Sequence, residues 1–322
     1  MGVTKIEWTG SLLPDGSMSP GFTFNPWWGC TKVSAGCKHC YAEKLDSRFK
    51  GNHWGPTATR KSMSEAYWKQ PLKWNADAGK AGVRAKVFCA SMADVFEGPD
   101  TCQDAESWAI IEAARLRLWG LIAATPNLDW LLLTKRPEKV MPILNLHLDN
   151  WTGPDPDGGD APANVWLGTS VNDCNDLHRI NYLCTVPATV RFLSIEPLLE
   201  NIGTLNLIGI DWVIVGGESG PNARPMNPNW ARSIRDQCQD ADIPFFFKQW
   251  GEWAVTGKSY TIDLGPGMHG PAFSPFDAKD KGSYYVRLDE PGKYDHVERV
   301  GKHAAGRLLD GREWNEFPEA KR

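Results

Sequence analysis

FTFNPWWGCTKVSAGCKHCYAEK, residues 22–44, couples a short strand-like run to three closely spaced cysteines, Cys30, Cys37 and Cys40, in the pattern C-x6-C-x2-C. The run FTFN at 22–25 opens a series that continues to about residue 250: AKVFCAS at 85–91, LDWLLLTKR at 128–136, NVWLGTS at 164–170, TVRFLSIEP at 189–197, DWVIVGGESG at 211–220 and PFFFKQWG at 244–251. Each is a short apolar core ending in polar residues. The cores are nearly continuous rather than alternating, as expected of strands covered on both faces in a parallel sheet.

Helical patterns fall between them. In CQDAESWAIIEAARLRLWGLIAAT, Trp108, Ile111, Ala114 or Arg115, and Leu118 recur at three- and four-residue steps, an amphipathic spacing. In NPNWARSIRDQCQDAD, Asn227 is placed to cap a helix whose first turn holds Pro228, where a missing N–H costs nothing. Such alternation gives a whole or partial (β/α) barrel or an open doubly wound sheet. The expected fold is α/β, a partial TIM-type barrel of about six or seven parallel strands. The first run lacks a Rossmann glycine fingerprint, and polar residues end almost every strand rather than one crevice.

The expected organisation is a barrel over 1–251, with an insertion at 50–84 and a surface loop at 148–163, followed by a Gly- and Pro-rich extension, 252–322, packing on it. MGVTKIEWTG lacks the apolar run of a signal peptide. Eight scattered cysteines in 322 residues make no disulfide scaffold. Both point to a reducing cytoplasm. No stretch approaches the roughly 20 apolar residues of a membrane span. A net charge of -4 gives no global basic field but leaves room for a local one.

Three close thiolates suit a 4Fe-4S cluster that keeps one iron corner for a small molecule. Two other readings stand beside it. A structural zinc takes four ligands, with His39 completing the set awkwardly from inside the C-x2-C turn; the third reading is ordinary unligated thiols. Cys89, Cys102, Cys174, Cys184 and Cys238 read as small buried hydrophobes.

Barrel chemistry gathers at the C-terminal ends of strands. Those ends offer Asn25, Ser91 with Asp94, Thr134 with Lys135 and Arg136, Thr169 with Ser170, Ser194 with Glu196, Glu218 with Ser219, and Lys248 with Gln249. Lys135 and Arg136 suit a carboxylate or phosphate, or are simply charges leading into Pro137. Gly216 and Gly217 permit close backbone approach to a ligand.

With these segments together (NPWWGCTKVSAGCKHCYAE, LLLTKRP, SIEPLL, GGESG and FFKQWG) the chain resembles the radical S-adenosylmethionine superfamily. More narrowly it resembles a phage-associated three-cysteine-motif family of unknown function, distantly similar to spore photoproduct lyase. The likeness runs from Glu7 to the LLDGREWNEFP tail. It implies a 4Fe-4S cluster on Cys30, Cys37 and Cys40, with S-adenosylmethionine on the unique iron. Reductive cleavage of the sulfonium would then release methionine and a radical that takes hydrogen from substrate, the electron coming from a reductant such as flavodoxin or ferredoxin. The superfamily's commonest motif is C-x3-C-x2-C with an aromatic residue before the third cysteine; here the first gap is longer and His39 takes the aromatic place.

On this resemblance His39 and Tyr41 lie near the cluster or adenine, and Ser91, Asp94, Lys135, Ser194, Glu196 and Glu218 hold the cofactor. Arg136, Ser170, Lys248 and Gln249 meet the substrate. A nucleic-acid base or nucleotide is one substrate, with tryptophans of 50–84 stacking on bases and Arg48, Lys50, Arg60 and Lys61 along a backbone. A peptide or small metabolite, or a non-catalytic metal protein acting as a nucleic-acid or protein binding module, are the alternatives.

Overall fold

The computed structural model describes residues 2–13, 16–145, 162–261, 273–274, 283–287 and 293–319; most of the expected loop at 148–163 lies outside them. Seven strands form one parallel sheet: β1 Phe22–Phe24, β2 Ala85–Cys89, β3 Leu128–Thr134, β4 Val165–Ser170, β5 Val190–Ile195, β6 Trp212–Gly216 and β7 Phe245–Gln249. Their order across the sheet is their order in the chain. With right-handed crossovers, an order that never reverses puts every connection on one face and curls the sheet. The fold is therefore α/β, with a seven-stranded parallel half-barrel and no doubly wound switch point.

The crossovers carry α1 Tyr41–Arg48, α2 Gln70–Ala81, α3 Ala105–Ala123, α4 Val140–Asn145, α5 His178–Cys184 and α6 Pro228–Asp240. Asn227 caps α6 as expected, its side chain accepting from the Asn229 N–H. On α3 the buried face includes Ile111, Arg115 and Leu118, while Trp108 is only partly covered. No helix among the described residues is long and apolar enough to cross a membrane.

The pleat sends alternate side chains to two cores. Outward-facing Phe24, Val87, Leu132, Leu167, Leu193 and Val215 pack under the helices. Inward-facing Phe88, Leu131, Trp166, Phe192, Trp212 and Phe246 fill the concave side with Trp8 from the N-terminal segment. Each of these side chains contributes on the order of 2–3 kcal/mol by leaving water.

A half-barrel leaves two edges that invite further pairing, and this chain covers both with its own ends. Val3 bridges Phe22 antiparallel, and Thr23 N–H donates to Gly2 O at 3.0 Å. On the far side Asn315 bridges Phe246, and Phe247 N–H donates to Trp314 O at 3.0 Å. The extension also forms an antiparallel sheet of β8 Trp253–Thr261, β9 Phe273–Ser274, β10 Ser283–Arg287 and β11 Lys293–Arg299. It meets the barrel through Trp253, whose indole N–H donates to Ala223 O at 2.9 Å.

Residues 50–84 supply the β1-to-β2 crossover helix as well as surface. For two of their three tryptophans the base-stacking expectation is overturned: Trp74 stacks on Phe22 at 4.4 Å, Trp68 meets Phe24 edge-on at 5.1 Å, and both are buried, while Trp54 is half-buried. Arg60 is fully buried against Glu97 and reaches no backbone outside the protein.

Candidate functional site

The cysteine loop leaves β1 through Gly29, whose φ of +118° places it in the left-handed region. A Cβ there would sit 2.4 Å from His53 O, so the turn requires glycine on both counts. Gly29 N–H donates to Met92 O and Gly55 N–H to Cys30 O, each at 3.0 Å. The loop then crosses the C-terminal mouth of the sheet and is tied at four further points. Arg224 donates to Ala35 O at 3.3 Å. Gly36 lies so close to Asn172 that a Cβ would sit 2.0 Å from its Oδ1. His39 Nδ1 lies 3.2 Å from Glu218 Oε2, and the Tyr41 hydroxyl donates to Ser91 O at 3.1 Å. The exits of β2, β4 and β6 thus hold one loop.

Cys30 stands against a buried ionic group. Both terminal nitrogens of Arg136 point at its sulfur, at 3.7 and 3.8 Å, while they also donate to Asp94 Oδ2 at 2.8 Å and Thr31 O at 2.6 Å. Asp94 further accepts from the Thr134 hydroxyl at 2.7 Å and from the Lys135 and Phe96 N–H groups at 3.1 and 3.0 Å. Burial pushes the Asp94 carboxyl up, but the Arg136 charge and these donors bring it below its ordinary value. Burial pushes the Cys30 thiol up to about 12 against the opposing pull of Arg136. For Cys37 the balance reverses: burial raises it, and the Lys135 charge with hydrogen bonds at Val33 and Ser34 leaves it below the usual thiol range.

Inside the mouth, the pleat aims Ser170, Ser194, Glu196 and Lys248 toward the concave side, with Ser170 and Ser194 in register. Lys135 Nζ donates to Ser170 Oγ at 3.1 Å, and Lys248 Nζ meets Glu196 Oε1 at 2.5 Å. Glu218 sits at the rim. Burial would raise its carboxyl, but the side-chain and backbone N–H groups of Arg224, together with His39, hold it at about 2. A cavity of about 370 Å³ opens beside the loop, bounded by Ser34, Lys135, Asp176, His178 and Arg179 among others.

The structure therefore brings together the cysteines, His39, Tyr41, Ser91, Lys135, Ser170, Ser194, Glu196, Glu218 and Lys248 around one mouth. Three expected contact residues are engaged by the protein itself, although Arg136 also borders the cavity. Asp94 and Arg136 are buried behind Cys30 and bonded to each other. Gln249, on the face of β7 opposite Lys248, gives its amide to Ser219 Oγ at 3.0 Å. Sequence reasoning missed Arg224, Asn172 and the Arg60–Glu97 pair. Arg224 and Asn172 follow named residues closely enough to have been found; Arg60 and Glu97, far apart in the chain, carry no local signal.

Among the described residues no three His, Cys, Asp or Glu side chains are gathered closely enough to hold a metal ion. The donor chemistry nonetheless fits a cluster. Three half-buried thiols share one loop; Cys37 is held below the usual thiol range, and at Cys30 the Arg136 guanidinium opposes the burial that disfavours a thiolate.

The sheet order and the loop across its open end define an α/β half-barrel protein with its polar groups collected at the strands' C-terminal mouth. The chain belongs to the family described as protein of unknown function (DUF5131), which matches residues 3–318. No curated protein and no solved structure matches it.

Proposed function

We propose that this protein is a radical S-adenosylmethionine enzyme of the partial-barrel kind. One observation carries the reading: a three-cysteine loop is fastened across the mouth of a parallel half-barrel by groups from three strand exits. Chemistry in such scaffolds sits at that end.

Cys30, Cys37 and Cys40 would hold a 4Fe-4S cluster once their sulfurs turn to a common point, and the mouth would take S-adenosylmethionine. When bound, the two together supply one-electron cleavage of the sulfonium and, with it, hydrogen abstraction from substrate. The chain's own residues do the rest. Lys135 and Lys248 offer ammonium groups to a carboxylate. Ser170, Ser194 and Glu196 offer hydroxyl and carboxylate partners to a ribose or an amino group. The aromatic floor from Phe88 to Phe246 keeps water from entering from below. Arg136 orients Cys30, and His39 with Glu218 fixes the loop near Cys40. A flavodoxin- or ferredoxin-type donor would deliver the electron in the cytoplasm.

Anaerobic reconstitution tests the reading. About four irons per chain are expected, lost in Cys30→Ala, Cys37→Ala or Cys40→Ala, with 5′-deoxyadenosine formed on addition of dithionite and S-adenosylmethionine. Stoichiometric zinc without iron would replace the enzyme reading with a structural-zinc binding module.

A further inference from the structure

The segment 25–62 holds seven Lys and Arg against two acidic residues, in a chain whose total charge is -4. Both acids are already partnered: Glu43 pairs with Lys32 at 2.6 Å, and Asp46 with His53 at 2.8 Å. Arg60 is buried on Glu97. Lys38, Lys44, Arg48, Lys50 and Lys61 have no ion-pair partner among the described residues, and all but the half-buried Lys44 are exposed. Lys44 Nζ lies beside Gly220, which joins this surface to the exit of β6.

Two aromatic rings stand open among these charges. Phe49, just past α1, is 68% exposed, and Tyr41 is 57% exposed. The Tyr41 hydroxyl is fixed on Ser91 O, so the ring is held while more than half of the residue meets solvent. A ligand stacking on a held ring loses little side-chain freedom.

We propose that the cysteine loop, α1 and the turn after it form a binding surface for single-stranded nucleic acid leading into the mouth. Unpaired cations beside open ring faces match phosphates and unstacked bases. An acidic protein surface would use the charges but not the rings, and a duplex keeps its base faces stacked. The inference names the substrate class for the enzyme reading and rests on it for that role alone, since the surface is built without any cluster.

The test is fluorescence anisotropy with a fluorescein-labelled 12-nucleotide oligodeoxythymidine, using the full chain both metal-free and iron-loaded. Five phosphate contacts predict roughly 100-fold weaker binding at 200 mM than at 50 mM KCl, from about 0.7 in logarithmic slope per contact. The double variant Arg48→Glu/Lys50→Glu should weaken binding and lower the slope by about 1.4. Phe49→Ala should weaken it about tenfold with the slope unchanged. Lys80→Glu, an exposed control near the opposite end of the barrel, should change nothing. Absence of saturable binding at 50 mM KCl in both forms overturns the proposal. So does polyglutamate or duplex DNA competing as well as the single strand, or Lys80→Glu weakening binding as much as the double variant. A chain that takes up no iron on reconstitution yet still binds the oligonucleotide would fail the enzyme reading alone.

Discussion

Arg136 lays both ends of its guanidinium fork against the Cys30 sulfur while holding Asp94 at 2.8 Å. The contact joins the cysteine loop to the exit of β3 from beneath. Glu97 lies 3.9 Å from the same guanidinium and pairs with Arg60 at 2.7 Å, so two arginines and two acids form one buried group behind a single thiol. Such a group gains little net stability as a whole, but loses much when one member is removed.

Arg136→Gln leaves Asp94 charged and without its cation. A loss of about 3–5 kcal/mol is expected, read by urea unfolding of the metal-free protein. Arg136→Lys keeps the charge but not the fork, and should cost less, about 1–2 kcal/mol. A glutamine variant as stable as the parent would show that the buried group does not hold the loop.

Gly36→Ala would place a methyl group on the Asn172 carboxamide. Asn172 is fully buried and donates to Pro197 O at 2.9 Å, so it has little room to yield. The loop should lift, and iron retained after reconstitution should fall severalfold. Adding Asn172→Ala should restore part of it, a coupling between neighbours that independent sites would not show. Additive losses would mean that the two residues do not determine each other's position.

The fold was legible because each strand carries its burial in its own composition. TVRFLSIEP and DWVIVGGESG are apolar on both faces, and β5 and β6 lie at those places in the sheet. The mouth was legible for the same reason: the pleat that buries Phe192 turns Ser194 and Glu196 inward at the strand's end. The roles of Asp94 and Arg136 were not. Both stand at strand exits like their neighbours, and only the path of the cysteine loop brings them together against Cys30. The tryptophans of 50–84 misled because an edge strand as short as β1 has to draw Trp68 and Trp74 over itself to be covered.

Arg224 joins Glu218, the chain at Ala35 and, through Glu218, His39. With its folded value at about 2, below its ordinary 4.5, the Glu218 carboxyl contributes stability above pH 4.5 that is lost as pH falls toward 2. Arg224→Ala removes the donors that depress it. The acid transition of the parent, followed by tryptophan fluorescence, should therefore move upward in the variant, toward pH 4.5. An unmoved transition would place the acid sensitivity in another carboxylate.

Lys86 is the opposite case, a cation held where none is favoured. It points into the floor of the half-barrel, donates to Gly10 O at 2.8 Å, and lies 5.5 Å from the Trp166 ring and 4.8 Å from Phe317. Burial lowers its ammonium from 10.5 to about 8, with Asp129 opposing. Below pH 8 the lysine is charged in both the folded and unfolded chains, and the folded state carries the full cost of burying it. Between about pH 8 and 10.5 the unfolded chain binds a proton that the folded one does not, so stability rises with pH across that window. Lys86→Met removes the charge but keeps most of the volume. The variant should be more stable than the parent at pH 7 by on the order of 1–3 kcal/mol, and the gap should close as pH approaches 10.5. Denaturant unfolding at pH 7, 9 and 10.5 measures it; a gap independent of pH, or a less stable variant at pH 7, would show that the Gly10 hydrogen bond and the two rings outweigh the burial of the charge.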